Sequence, residues 1–311
     1  MSRIVITGPT GAVGIALIRA ALDEGHDVVA LCHRGSRRIA RVPQNAHVRV
    51  VEFDLDHMHE VAEGIEGPCD IFYHLAWAGT VGDARNDMFL QNANVRHTLD
   101  AVNLAEALGC TAFVGAGSQA EYGRFEGLLA PDTPVKPENG YGMAKLCAGQ
   151  MSRVMCQKRG MRHVWQRILS IYGPFDGERT MVISTIRALL AGRKPSFTPG
   201  EQLWDYLYAD DAGRALLLAG LKGADGAVYC IGSGQAAPLK SYVEQIRDAV
   251  DPALELGIGE VPYAEKQVMH LQADISTLTA DTGFQPCVPF KEGIARTVAW
   301  CREHADEETS G

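Results

Sequence analysis

The sequence holds no apolar run of transmembrane length, no C-x-x-C pair, no Cys/His cluster, no internal repeat and no low-complexity tract. Each absence removes a class of protein. A membrane-spanning helix needs about 20 consecutive apolar residues, and none occur together here. The opening Met1-Ser2-Arg3-Ile4-Val5-Ile6-Thr7-Gly8 has too short an apolar stretch for a secretory signal, so a soluble, cytoplasmic protein is expected. The cysteines Cys32, Cys69, Cys110, Cys147, Cys156, Cys230, Cys287 and Cys301 are scattered. That scatter gives neither zinc-ligand spacing nor a close disulfide framework, so reduced, mostly buried thiols and no metal are expected. His57 and His59 lie near Asp54 and Asp56, but no further ligand pattern accompanies them, and they read as a solvated face.

Positive charge is also scarce. Lys and Arg number 29 against 38 Asp and Glu, a net charge of −9. Such a chain has no general attraction for nucleic acid or an anionic membrane. An anionic ligand would need local cations or helix N-termini, and the one short basic cluster runs from Arg34 to Arg41.

What is present is ordinary globular material: 311 residues, 46% of them hydrophobic. That suffices for one large domain and a smaller lobe. Short apolar runs alternate with helical patterns through the first half. Strands are expected at Arg3 to Thr7, Val28 to Leu31, Val48 to Phe53, Ile71 to Leu75, Ala112 to Gly115 and Val164 to Ile171. Helices are expected at Val13 to Glu24, at Asn92 to Leu108 and after Tyr141. This alternation predicts an α/β fold, a doubly wound parallel sheet with helices on both faces. The Rossmann-type domain is expected over 1–172. The remainder, 173–311, is expected to be mainly a smaller α+β substrate lobe, with about 203–231 returning to the first domain. Asp210 and Asp211 read as N-cap residues of a helix over Ala212 to Leu221. The polar end, Ala305 to Gly311, reads as frayed.

Gly8-Pro9-Thr10-Gly11-Ala12-Val13-Gly14 sits between the first strand and the first helix, where a dinucleotide-binding loop must sit. Small residues let the backbone approach a pyrophosphate, and the helix N-terminus turns free N–H groups on it. The spacing is G-x-x-G-x-x-G. An acidic residue at the tip of the second strand would hold the 2′-hydroxyl of NAD. Here the strand ends Cys32-His33-Arg34, with Arg37 and Arg38 close behind. Cations there suit a 2′-phosphate, so NADP(H) is favoured, and NAD(H) stays open.

Tyr141-Gly142-Met143-Ala144-Lys145 places a phenol and an amine four apart on one helix face. A nearby cation favours phenolate and lowers the phenol's pKa, and Lys145 is expected to do this for Tyr141. Ser118, in Gly117-Ser118-Gln119-Ala120-Glu121-Tyr122-Gly123, follows the fifth strand. Carboxyl ends of strands are where ligands meet such a sheet, so Ser118 is expected beside a substrate oxygen.

With these three in order, the chain resembles the extended short-chain dehydrogenase/reductase family, and within it the nucleotide-sugar epimerase, dehydratase and ketoreductase branch. The resemblance implies that Asp54 and Leu55 contact adenine. It implies that Leu75, Ala76 and Trp77 line the nicotinamide side, and that Asn94 holds a proton-relay water. Trp77 is expected to line the substrate pocket or to pack on the core. Ser170 and Trp204 stand where the family often has an Asn and an Arg that hold a nucleotide diphosphate; Arg179, Arg193 or Lys194 would have to substitute. The branch's dehydratases carry an Asp-Glu pair after the catalytic hydroxyl residue. Gln119 and Ala120 stand there, and Glu121 is expected to turn away by strand alternation. The resemblance thus implies an NADPH-dependent reduction of a keto group on a sugar or nucleotide sugar. A nucleotide-sugar 4-epimerase is the alternative, and a non-catalytic cofactor-binding regulator the alternative of another class. A homodimer through two helices is common in the family and stays open.

Overall fold

A computed structural model describes residues 1–305. The frayed end read from the sequence lies, from residue 306 on, outside them. The core is a parallel sheet of seven strands: β1 (Arg3–Thr7), β2 (Asp27–His33), β3 (Val48–Phe53), β4 (Ile71–His74), β5 (Ala112–Ser118), β6 (Arg162–Ile168) and β7 (Ala227–Ile231). Their order is β7-β6-β5-β4-β1-β2-β3. The order reverses between β1 and β4, and a crevice opens at such a switch point beyond the strands' carboxyl ends. Residues of β4 and β5 are buried throughout, which is why they read as unbroken apolar runs rather than alternations.

Helices cover both faces. On one lie α1 (Ala12–Asp23) and α5 (Ala209–Lys222), packed on each other. On the other lie α2 (Met88–Ala107) and α3 (Gly140–Lys158). The sequence places the start of α2 four residues late. Asp87 explains the earlier start, since its carboxylate caps the helix by accepting from Phe89 N and Leu90 N, both at 3.1 Å. The sixth strand ends at Ile168, and Ser170–Tyr172 forms a separate strand paired with Tyr206–Tyr208.

Asp210 and Asp211 are not N-caps. The cap position of α5 is Tyr208, and both aspartates fall in the first turn. The buried Asp211 accepts from Cys287 N at 2.9 Å and Val288 N at 2.8 Å instead, tying the later chain to α5. The lobe packs α4 (Met181–Leu190), α6 (Leu239–Val250) and α8 (Phe290–Glu303) around Tyr172, Ile186, Ile246 and Val298. A short helix, α7 (Ser276–Thr282), packs on α5. Beside the lobe, strands Leu203–Trp204 and His270–Ala273 join Leu128–Leu129 from the first half. Asp205, fully buried, accepts from Ser233 N, Gly234 N and Ala273 N and so fixes that corner. Six of the eight thiols are buried; Cys147 and Cys287 are exposed. Among the described residues, no helix is long and apolar enough to cross a membrane.

Candidate active site

The glycine loop turns tightly from β1 into α1. Gly8 has φ +70°, and a Cβ there would meet Ala76 N at 2.8 Å. At Gly14 a Cβ would lie 2.3 Å from Gly8 O. These two positions leave no room for a side chain. Gly11 differs: a Cβ there would meet nothing within 4 Å, so the protein itself does not require glycine. Gly11 is the N-cap of α1 and no side chain caps the helix. The first-turn N–H groups therefore face outward unsatisfied. Gly8, Gly11, Ala12, Val13, Gly14 and Leu75 line one cleft of about 390 Å³. Open backbone donors at a positive helix end, bordering a space of that size, fit a dinucleotide pyrophosphate. Thr10 lies on the same loop.

The cations of this cleft are Arg38 and Arg41. Of the arginines that the sequence points to, Arg38 lines the cleft, whereas Arg34 and Arg37, the latter exposed on the short 3₁₀ helix Arg37–Arg41, do not. The tighter 3₁₀ repeat puts residues three apart on one side, so 38 and 41 face inward together. His33 and Arg34 are exposed at the tip of β2, and both approach Asp54 at 3.6 Å. Asp54 thus draws both side chains to the end of β3, with Leu55 opening the next turn. Phe175 closes the cleft's far side with φ 66°, wedged 5.2 Å from the Trp300 ring and 5.7 Å beneath the Arg41 guanidinium. Next to it, burial pushes the Asp176 carboxyl up to about 6.

At the carboxyl end of β5, the Ser118 side chain lies near enough to Tyr141 to favour its ionised form. Asn139 positions Tyr141 by capping α3, accepting from Gly142 N at 2.8 Å. Ser118 accepts from Ala120 N at 3.2 Å. Its own N–H donates to Glu121 Oε1 at 2.8 Å, a reciprocal cap on the 3₁₀ turn Gln119–Glu121. The half-buried Gln119 side chain lies beside it. Glu121 does turn away from the site, but through this turn rather than strand alternation. It is fully buried, with Oε1 also accepting from Trp165 Nε1 at 2.9 Å and Oε2 from Arg167 Nε at 2.8 Å.

Lys145 is buried and donates to Ala116 O at 2.7 Å. Its Nζ lies 3.7 Å from the Trp77 ring centroid and 5.8 Å from that of Tyr141. Burial pulls the Lys145 amine down to about 7, against a partial lift from Glu121. The Arg85 guanidinium carbon also lies over the Tyr141 ring, 4.5 Å from its centroid. Burial raises the Tyr141 pKa, and the Ser118 hydrogen bond and Arg85 pull it back. An arginine in the loop after β4, at the strands' carboxyl ends, was the available signal for this residue.

Trp77 joins the site: its ring meets Tyr141 edge-on at 6.1 Å, and its Nε1 donates to Gln91 Oε1 at 2.9 Å. Asn94 Nδ2 donates to Ala78 O and its Oδ1 accepts from Ala78 N, both at 2.9 Å. The amide therefore clamps the loop after β4, the loop that carries Trp77. Ser170 and Trp204 come together, Trp204 Nε1 donating to Ser170 Oγ at 2.8 Å. Arg179 is exposed just before α4, Arg193 is exposed, and Lys194 is held by Glu260. Among the described residues no group of three His, Cys, Asp or Glu could hold a metal ion.

The sheet order, the glycine loop and the Ser118–Tyr141–Lys145 group define a dinucleotide-binding fold with a hydroxyl-and-amine site. Residues 4–232 match the NAD dependent epimerase/dehydratase family, and the chain belongs to it, within the extended short-chain dehydrogenase/reductases. A dTDP-glucose 4,6-dehydratase of Streptomyces griseus is 26% identical over 97% of this chain and 95% of its own. Two solved structures share the fold. A UDP-glucose 4-epimerase of Thermotoga maritima, solved with UDP-glucose, has TM-score 0.85 at 21% identity, over 98% of this chain and all of that one. RMD of Pseudomonas aeruginosa, solved with NADPH, has TM-score 0.80 at 22% identity, over 97% and 100%.

Proposed function

We propose that the chain catalyses NADPH-dependent reduction of a keto group on a nucleotide-sugar-like substrate in the cytoplasm. The observation that carries this reading is the grouping of Tyr141 and Lys145 on α3 at the end of β5, where Ser118 stands and Lys145 is anchored on Ala116 O, with Gln119 and Ala120 where an acid–base pair would serve elimination. The bound dinucleotide would supply the hydride. Tyr141 gives its hydroxyl proton to the substrate oxygen as that oxygen gains charge. Ser118 donates a hydrogen bond to the same oxygen and stabilises it. Lys145, anchored on Ala116 O, bonds the cofactor ribose. Trp77 walls the pocket, and Ser170 with Trp204 borders the substrate side. Asn94 positions the loop that carries Trp77.

Three features support NADPH. No carboxylate ends β2, Arg34 directly follows its last residue, and Arg38 and Arg41 line the pyrophosphate cleft. A 4-epimerase would use the same atoms twice, oxidising and then reducing. Fluorescence titration with NADPH and NADH tests the choice. Tighter NADPH binding that weakens at least ten-fold in an Arg34→Ala, Arg38→Ala double variant supports the reductase. Equal NADH binding, or protein that purifies with NAD held tightly, moves the reading to the epimerase. Turnover of 4-keto nucleotide sugars should fall at least a hundred-fold in Tyr141→Phe. A regulator without catalysis would show no turnover to lose.

A second copy of the chain is the partner we propose for α2 and α3. Their shared outer face exposes Met88, Phe89, Met143, Met151 and Val154, with Phe89 90% exposed. Sedimentation equilibrium of the wild type and of Phe89→Asp reads this directly.

A further inference from the structure

Among the described residues, Phe175 alone outside glycine has a positive φ, 66°. A phenylalanine is strained there and stays only where its surroundings hold it. Trp300 of α8 packs on its ring at 5.2 Å, and the guanidiniums of Arg19 and Arg41 lie over it at 5.9 and 5.7 Å. The held turn sets the next residue, Asp176, into the wall of the glycine-loop cleft. Its carboxyl makes local bonds. Oδ1 accepts from Gly177 N at 2.7 Å, and Oδ2 lies 2.9 Å from Thr180 Oγ1. That hydroxyl is also 2.9 Å from Gly177 O. A hydroxyl has one proton to give. Both contacts are full hydrogen bonds when Asp176 carries a proton on Oδ2 and donates it to Thr180, whose own proton goes to Gly177 O. Arg38 and Arg41 line the same cleft, yet neither forms an ion pair with Asp176.

We propose that Asp176 belongs to the dinucleotide site as a neutral acid, and that binding of the diphosphate takes up a proton there. The inference rests on this cleft being the dinucleotide site. A carboxylate in its wall would share one small space with the diphosphate, and a like charge disfavours the ionised form. The neutral acid removes that repulsion and leaves Arg38, Arg41 and the N-terminus of α1 to hold the anion. Burial alone already holds the carboxyl up to about 6, so a modest further rise changes its charge near neutral pH. The other groups around it do not take its place. Arg19, over Phe175 from α1, is 4.0 Å from Asp210. Glu178 lines the cleft but pairs with Arg187 of α4 at 3.7 Å. Arg179 is exposed. Tyr206 faces Asp176 from its strand as an uncharged phenol. His304, just past α8, meets Phe175 at 6.5 Å and does not line the cleft.

Isothermal titration with NAD between pH 5.5 and 8 tests this, because NAD lacks the 2′-phosphate, a group that itself ionises near pH ~6. Asp176→Asn puts an amide N–H where the acid's O–H stands and keeps the bond to Thr180. At pH 5.5 the two proteins should bind NAD within about two-fold of each other. At pH 8 the Asn variant should bind about ten-fold or more tighter, since a one-unit rise in an acid's pKa on binding is a ten-fold loss of affinity in its ionised form. Tighter binding cannot come from damaged folding, and other titrations, that of Lys145 included, cancel in the ratio. At pH 7, buffers of different ionisation enthalpy should show wild type taking up roughly 0.4 of a proton or more per NAD that the variant does not. A ratio that stays constant with pH, or an Asn variant that binds more weakly at pH 8, overturns the proposal. Gly11→Ala separates the two ways of failing. If it leaves NAD binding unchanged, the cleft is not the dinucleotide site and both readings fall; if it weakens binding while the ratio stays flat, only the role of Asp176 falls.

Discussion

Replacing Lys145 by Met should stabilise the fold at neutral pH and remove part of its pH dependence. Lys145 is 3% exposed, and burial lowers its pKa from 10.5 to about 7. Below pH 7 both folded and unfolded states hold the proton, and the full cost of burying the charge is present. A ten-fold change in proton affinity corresponds to about 1.4 kcal/mol, so this cost is roughly 5 kcal/mol. Between pH 7 and 10.5 the unfolded state binds more protons than the folded one, so stability rises with pH. At pH 7 the remaining cost is about 4 kcal/mol, and by pH 9 it is about 2 kcal/mol. Methionine keeps the length without the charge. It loses the bond to Ala116 O and the contact with Trp77, which return about 1–2 kcal/mol to the wild type.

Urea unfolding of both proteins at pH 7, 8 and 9 isolates this residue, because other titrations cancel in the difference. The advantage of Lys145→Met should shrink by roughly 2 kcal/mol from pH 7 to 9. A constant difference would mean that burial does not hold the Lys145 amine near pH 7 and would refute the reasoning.

Further outcomes follow from the geometry. Glu121→Gln leaves Arg167 buried without its counter-charge and should cost about 3–5 kcal/mol in urea unfolding; adding Arg167→Met should recover part of it. Gly11→Ala should leave the melting temperature within about a degree or two yet weaken dinucleotide binding at least ten-fold, since its methyl enters only the cleft. Gly14→Ala drives a methyl into Gly8 O and should lower the melting temperature itself, by calorimetry several degrees.

The parts of this molecule that follow from local pattern were legible in the sequence. Strands buried on both faces spell apolar runs, so β1 to β6 could be placed to within a few residues. The glycine loop announced itself by small residues between a strand and a helix, and helical spacing put Tyr141 and Lys145 on one face. Choices of partner among polar side chains were not legible. Asn94 could have bound water or backbone, and the loop at Ala78 captured both ends of its amide. Arg37, Arg38 and Arg41 are alike as residues; only the 3₁₀ geometry decides which of them face the cleft. Glu121 and Arg167 stand 46 positions apart, and nothing local predicts that they pair. Arg85 reaches Tyr141 through a tether from Asn86 to Gly140, 54 positions away.

Those partner choices bear on the reaction. Elimination of water needs a titratable acid and base beside the hydroxyl site. Gln119 offers an amide there and Ala120 a methyl, neither of which exchanges protons near neutral pH. The nearest carboxylate, Glu121, has both oxygens committed beneath Ser118, to Trp165, Arg167 and the Ser118 N–H. Freeing it would strand a buried arginine, at a cost of several kcal/mol. Asp176, a half-buried carboxyl, lines the cleft together with the glycine loop, and Ser118 does not. The groups that stand at this end of the sheet are the hydroxyls of Ser118 and Tyr141 and the cations Lys145 and Arg85, and these are what the proposed reduction would use.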